Sequence, residues 1–153
     1  MANSEHPLKN VSLKVLEDWG LMLVDELKIE EIGFDLNQPL YMAWINMHGS
    51  INGALSIVAQ KDFMTSLATN LLGEDESYVP STEEGEDALK EMSNVLAGNF
   101  FTEAYGDATA FDLINPEVGE IKKEELDKVL KRRVVHCFSA DGQPVAVTFS
   151  IRD

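Results

Sequence analysis

The feature of this sequence that most constrains its fold is a long amphipathic segment, which we predict to be a helix from about Thr82 to Tyr105. Its apolar residues recur at helical spacing and share one arc of the helix: Ala88, Leu89, Met92, Val95, Leu96 and Phe100. Ser81, followed three residues later by Glu84, has the pattern of an N-terminal capping box. A helix with one apolar stripe must bury that stripe against a second layer, so the chain needs another layer of structure to cover it.

Two other segments have the apolar periodicity of helices. Leucines at helical spacing predict a helix from about Asn10 to Leu27. A second apolar stripe predicts a helix over Asp62–Leu72, and Gly73 lies where a glycine cap would end it. We also expect a short charged helix around Glu124 to Arg132.

Strand patterns fill much of the remaining sequence. Alternating, aromatic or β-branched residues predict strands over Tyr41–Met47, Ile51–Ile57, Phe111–Ile114, Val134–Ser139 and Val145–Ile151. The dipeptide Asp141–Gly142 indicates a hairpin turn between the last two. The expected order is helix, two strands, two helices and three strands, with the short charged helix before the last two strands. Because helices and strands must each bury one face, the expected fold class is α+β, a two-layer sandwich of helices packed on a mainly antiparallel sheet.

Length and charge limit the number of domains and the classes of partner. With 153 residues, the chain is expected to form one domain over residues 1–153. Its 27 acidic and 12 basic residues give a net charge of −15, which disfavours binding to nucleic acid and to anionic membranes. The single cysteine, Cys137, excludes an internal disulfide. Together with the lack of a signal-peptide pattern or a membrane-spanning apolar run, it predicts a cytoplasmic protein.

The polar side of the long helix carries a second pattern. Asp87, Glu91, Asn94 and Gly98 are spaced by four, three and four residues, which makes them neighbours on the helix surface. Most amphipathic helices have a solvated polar face, so this stripe alone favours simple solvation. Gly98 costs roughly 1 kcal/mol relative to Ala at an exposed helical position. Close approach of a partner could account for that cost, and so could packing against another element.

The spacing of these residues resembles the signature of a known family. Asp87-x-x-x-Glu91-x-x-Asn94 is followed, after 22 intervening residues, by Pro116. The CheC, CheX and FliY chemotaxis phosphatases carry Asp or Ser, Glu, Asn and Pro at this spacing. The segments INGALSIVA and LATNLLGEDE upstream, and NVLAGNF after the asparagine, are also similar to that family. CheC carries two such helices, and Val11 to Lys28 has no Glu-x-x-Asn, so the chain is most similar to CheX. Lys90 departs from the small residue that many members have before the signature glutamate.

The resemblance implies a function and roles for the signature residues. It implies a phosphatase that speeds dephosphorylation of the aspartyl phosphate of a CheY-type response regulator, with Asn94 inserting to position the attacking water. Glu91 would pair with the regulator's active-site lysine, and Asp87 and Gly98 would belong to the partner-binding surface. Pro116 would be structural. The Mg²⁺ of the reaction would be held by the regulator, so no cofactor is expected on this chain. CheX-like relatives suggest a homodimer.

Other functions remain open at this point. The same helical face could belong to a non-catalytic binding module that docks a response regulator or a flagellar switch component, since a fold alone does not determine function. A metal site at Asp87 and Glu91 is disfavoured, because two carboxylates and an amide on one exposed helix leave the coordination incomplete. Cys137 is interpreted as a small core residue rather than a nucleophile.

Overall fold

One seven-stranded antiparallel sheet organises the molecule. The computed structural model describes residues 7–106 and 111–152; the ends of the predicted domain, residues 1–6 and 153, lie outside this range. The helices are α1 (Pro7–Lys14), α2 (Lys61–Leu72), α3 (Thr82–Tyr105) and α4 (Lys123–Leu130). The strands are β1 (Val24–Leu27), β2 (Leu40–Gly49), β3 (Asn52–Ala59), β4 (Phe111–Leu113), β5 (Glu117–Ile121), β6 (Val135–Ala140) and β7 (Gln143–Arg152). Among the described residues, no helix combines the length and apolarity needed to span a membrane.

The strand order is β1-β6-β7-β3-β2-β4, and β5 pairs with the same free edge of β2 as β4. Every pairing is antiparallel. The larger hydrophobic cluster lies between one face of this sheet and α1, α2 and α3. Ile45, Ile57 and Val147 contribute to it from the strands, and Leu89 and Phe100 from α3. The predicted α+β class, with helices packed on a mainly antiparallel sheet, is confirmed.

A smaller hydrophobic cluster covers part of the opposite sheet face. Leu40, Val58 and Ala146 alternate along their strands with the residues that face α1–α3, so their side chains point the other way. Leu126 and Val129 of α4 pack with them. The sheet is therefore covered by three helices on one face and by one short helix on the other.

Several local predictions are confirmed. α2 ends at Leu72, and Gly73 follows in the left-handed conformation with a φ of 70°. α3 has the predicted bounds, and its capping box is formed. The turn between β6 and β7 has positive φ at both Asp141 (50°) and Gly142 (80°), as a tight hairpin turn requires. α4 lies within one or two residues of the expected charged helix.

The prediction of one helix from Asn10 to Leu27 is wrong in its second half. α1 begins at Pro7 and continues into a single π-helical turn over Val15–Trp19. The chain then turns and forms β1, which is a strand at the edge of the sheet. Leu23 is one of the leucines at helical spacing that predicted the helix, but it lies beyond the helix and is 83% exposed.

The first helix ends at Gly20, where the backbone lies close to α2. The Gly20 N–H donates to the carbonyl of Val15 at 2.8 Å, and Leu21 adopts a left-handed φ of 56°. A Cβ at position 20 would lie 2.9 Å from the Leu16 carbonyl oxygen and 3.3 Å from Cδ1 of Leu67. Glycine therefore permits a close approach that the apolar periodicity, which continues beyond it, does not reveal.

The strand β5 is missing from the sequence predictions, so the predicted element order lacked both β1 and β5. Its sequence, EVGEI, contains a glycine and two glutamates, which are poor strand formers. β4 covers only the Met47–Gly49 part of the free edge of β2, and the Leu40–Trp44 part pairs with β5. The strand thus forms because an unpaired edge is available, rather than through its own propensity.

Candidate functional site

The first turn of α3 is fixed by a network around Glu84. The hydroxyl of Ser81 accepts a hydrogen bond from the Glu84 N–H at 3.1 Å, and the Glu84 carboxylate accepts one from the Ser81 N–H at 2.9 Å. The Tyr78 hydroxyl donates to the same carboxylate at 2.9 Å. These bonds, that of the Ser81 backbone first, hold the pKa of Glu84 below its ordinary value. The helix therefore starts at a defined residue, which fixes the positions of the side chains that follow.

The buried side of α3 sets which face of the helix meets solvent. Leu89, Met92 and Leu96 are fully buried against the sheet and the neighbouring helices. At the C-terminal end, the rings of Phe100 and Phe149 lie 5.0 Å apart between centroids in an edge-to-face arrangement. A helix held at both ends and along one face has little freedom to rotate about its axis.

The structure brings the four signature positions of α3 together on the opposite side. Asp87, Glu91 and Asn94 are exposed, and Gly98 is half-buried. At 100° and 1.5 Å per residue, the four positions fall within an arc of about 60° and span roughly 16 Å of helix. We call these four residues the signature stripe.

Glu91 and Asn94 present unengaged polar groups. Within the described ranges, neither side chain forms a hydrogen bond or an ion pair with the rest of the chain. By contrast, the amide of Asn99, on the same helix, donates to the Val95 carbonyl at 2.8 Å. The carboxylate of Glu91 and the amide of Asn94 are therefore both available to a partner.

Asp87 differs from the other two polar members of the stripe. Its carboxylate lies 3.5 Å from the ammonium group of Lys90, in an ion pair between residues three apart on the helix. This pairing was not predicted from the sequence, although the three-residue spacing of opposite charges on a helix could have indicated it. Lys90 thus offsets the charge of Asp87, and Glu91 carries the unpaired carboxylate of the stripe.

Gly98 lies in open space. Apart from its chain neighbours and the backbone of its own helix, a Cβ built on it would meet no described atom within 4 Å. Of the two explanations for a glycine at this position, packing against another element of the chain has no support among the described residues. The bare backbone widens the surface next to Asn94 for an approaching molecule.

Pro116 lies on the edge of the sheet, away from the signature stripe. Between the pairs Met47–Leu113 and Trp44–Glu117, two residues of β2 face three residues of the edge chain. Such an extra residue makes a bulge, and proline is tolerated at edges and bulges because it has no N–H to donate to the ladder. Its position separates β4 from β5.

The remaining sequence candidates do not form a second centre. Burial raises the pKa of Cys137 to about 11, so its thiol is protonated at neutral pH and is a poor nucleophile. Within the part of the chain that the structure describes, no group of three or more His, Cys, Asp or Glu side chains is arranged to hold a metal ion.

Comparison with known proteins decides the family. The model of the family described as chemotaxis phosphatase CheX matches residues 41–139, which include the whole signature stripe and Pro116. The chain belongs to the CheX family. A search of curated protein sequences found no significant match.

Solved CheX structures share this fold across nearly the whole chain. CheX from Vibrio vulnificus has 19% sequence identity and a TM-score of 0.68, with 97% of each chain covered. The CheX of the CheX–CheY–BeF3–Mg²⁺ complex from Borrelia burgdorferi has 21% identity and a TM-score of 0.64, covering 99% of this chain and 100% of that one. A CheC-like protein from Shewanella sp. PV-4 has 20% identity and a TM-score of 0.62, covering 97% and 99%.

Proposed function

We propose that this protein accelerates hydrolysis of the aspartyl phosphate of a CheY-type response regulator, with Asn94 positioning the attacking water. The observation that carries the proposal is the pair of unengaged polar groups, on Glu91 and Asn94, one turn apart on a helix whose other face is buried. Membership of a family described as chemotaxis phosphatases supports the reaction class.

The partner is inferred from a relative. The Borrelia burgdorferi CheX, which has the same fold, was crystallised with CheY, BeF3 and Mg²⁺. We infer that this chain likewise docks a CheY-type regulator, which would hold the Mg²⁺ that balances charge on the phosphoryl oxygens. Both this chain and the regulator would act in the cytoplasm.

The chemistry left to this chain is the placement of one water molecule. Phosphoryl transfer depends mainly on positioning, because the attacking oxygen must lie in line with the leaving oxygen. The amide of Asn94 can both donate to and accept from a water, but it cannot take its proton as a base at neutral pH. Its exposed place on a rigid helix allows it to enter the regulator's site without a rearrangement of the fold.

Glu91 would determine how the helix docks. Its carboxylate has no partner among the described residues, so it can pair with the regulator's active-site lysine without breaking an existing contact. A charge pair of this kind fixes register and contributes to affinity. Asp87, already paired with Lys90, would act at the rim of the contact, and Gly98 would admit the regulator's backbone beside Asn94.

The test is a dephosphorylation assay with Asn94→Ala. A panel of CheY-type receivers is phosphorylated with a small phosphodonor and Mg²⁺, and phosphoryl loss is followed with and without this protein. Because Asn94 would supply a positioned group in the transition state, its loss should slow hydrolysis by roughly 10²–10³-fold while binding persists. Glu91→Ala should instead weaken binding.

The chain supplies a matched control for this experiment. Asn99→Ala makes the same substitution on the same helix, but on a face turned about 120° from Asp87, and should leave the rate unchanged. If a receiver binds and the wild-type protein does not speed its dephosphorylation, the catalytic proposal is wrong. The non-catalytic binding module then becomes the better description.

A further inference from the structure

A groove of about 720 Å³ lies at the β1 edge of the sheet, on elements that do not carry the signature stripe. β1 pairs with β6 only as far as Leu27, which lies opposite Cys137. β6 itself begins two residues earlier, at Val135. The groove occupies the place where β1 would continue, and Leu27, Val135 and Ile29 line it.

A local hydrogen bond accounts for the early end of β1. The backbone N–H of Lys28 donates to the Glu31 carboxylate at 2.7 Å. This bond caps a 3₁₀ turn over Ile29–Glu31, which takes the chain out of the strand conformation. The edge of β6 beyond Leu27 is thereby uncovered.

The exposed edge has backbone groups directed toward the groove. The Val134 carbonyl accepts hydrogen bonds from the Phe149 N–H at 3.3 Å and from the Thr148 hydroxyl at 2.6 Å, so residue 134 faces β7. Successive residues of a strand point their N–H and C=O groups to opposite sides, so those of Val135 face away from β7. An open strand edge of this kind is a template for an extended peptide.

The groove is lined by more basic than acidic residues, which is unusual for a chain with a net charge of −15. Lys9, Lys28 and Arg133 line it together with Glu26 and Glu31. Glu26 pairs with the Lys9 ammonium at 2.7 Å, which offsets both charges. Glu31 accepts a hydrogen bond from the backbone N–H of Lys28 and keeps its negative charge. The ammonium group of Lys28 and the guanidinium group of Arg133 make no ion pair with any other described residue. The groove therefore presents two cations without an ion pair against one such carboxylate, and its remaining charge is positive.

We propose that this groove binds an extended acidic segment of a partner protein, which adds to the sheet as a strand beside Val135. The segment's backbone would bond to the N–H and C=O of Val135, and its carboxylates would pair with Lys28 and Arg133. Apolar side chains of the segment would lie against Leu27 and Ile29, the latter 40% exposed. The site is a second interaction surface, separate from the signature stripe.

The test selects peptides from a displayed library of random dodecamers against the full-length protein. The variant Lys28→Glu with Arg133→Glu reverses both unpaired charges. The control, Lys14→Glu with Lys61→Glu, makes the same change in net charge at two exposed lysines outside the groove. Binding is measured by fluorescence polarisation, and amide shifts are mapped by NMR.

The proposal expects enrichment of acidic peptides with β-branched residues. They should bind the wild type and the control equally, bind the charge-reversed variant at least about 10-fold more weakly because two ion pairs are lost, and shift the Val135 amide. Enriched peptides that bind the charge-reversed variant equally, shifts confined to other surfaces, or no enrichment would each overturn it. So would sedimentation showing that the wild type is a dimer and the charge-reversed variant a monomer, because a second copy would then fill the groove.

Discussion

At the residue scale, a side chain at position 98 should have opposite effects on the stability of α3 and on its proposed contact with a partner. Glycine in an exposed helix is destabilising by about 1 kcal/mol relative to alanine. Because a Cβ at position 98 meets no described atom within 4 Å outside its own stretch of helix, Gly98→Ala should raise the free energy of unfolding by about that amount. The added methyl group should also weaken regulator binding, since it stands beside Asn94. Urea unfolding and a binding titration measure the two effects.

Asn99→Ala is the control for this substitution. It also replaces a weaker helix former by alanine, but it lies outside the signature stripe and should leave regulator binding unchanged. If Gly98→Ala stabilises the protein and binds the regulator as the wild type does, Gly98 lies outside the contact surface.

At the scale of the element, the capping box makes the stability of α3 depend on pH. The pKa of Glu84 lies below its ordinary value of 4.5, mainly because the Ser81 N–H donates to its carboxylate. A lowered pKa means that the ionised carboxylate stabilises the folded state above the unfolded value, and that this contribution is lost as the pH falls through the folded pKa. Glu84→Gln should therefore be less stable than the wild type at pH 7, and the difference should close in acid.

The measurement is urea unfolding of both proteins at neutral pH and near pH 3. Glu83→Gln serves as the comparison, because Glu83 lies in the same first turn but makes no capping hydrogen bond to a described residue. The free energy of unfolding of Glu83→Gln should differ less from that of the wild type than does that of Glu84→Gln. A Glu84→Gln difference of equal size at both pH values would show that the charge of the carboxylate does not contribute.

At the scale of the whole molecule, the two hydrophobic clusters share the strands of one sheet and should unfold together. Labelling of the Cys137 thiol tests whether they do, because this residue is 3% exposed and the chain has no other cysteine. Burial raises the pKa of its thiol to about 11, so labelling at pH 8 requires an opening that exposes it. The free energy of opening obtained from labelling rates should equal the free energy of unfolding obtained with urea.

A smaller value from labelling would contradict this expectation. It would mean that α4 and the smaller hydrophobic cluster open while the sheet and its three other helices remain folded. If the molecule unfolds cooperatively, Leu126→Ala should lower both free energies in parallel, because Leu126 is buried in the smaller hydrophobic cluster.

Local sequence patterns alone predicted α3, its cap, and which of its residues face the core and which face solvent. The helical period and the Ser81–Glu84 pair act within a few residues of each other, so no knowledge of distant contacts is needed. The same holds for the end of α2 at Gly73 and for the Asp141–Gly142 turn. The positions of the signature stripe followed directly, because residues on one helix have fixed angular relations.

The tertiary structure decided whatever depends on residues far apart in the chain. At Gly20, where the first helix ends, the backbone comes close to Leu67 of α2, and β5 forms where β2 has a free edge. Whether Gly98 is covered, and whether the edge of β6 near Val135 is open, likewise depends on which elements lie beside them. Periodicity and turn chemistry act within a few residues, whereas close approach and edge pairing are set by packing between distant residues. The sequence by itself therefore determined which faces of the elements are apolar, and the fold determined where some elements end and which elements lie beside them.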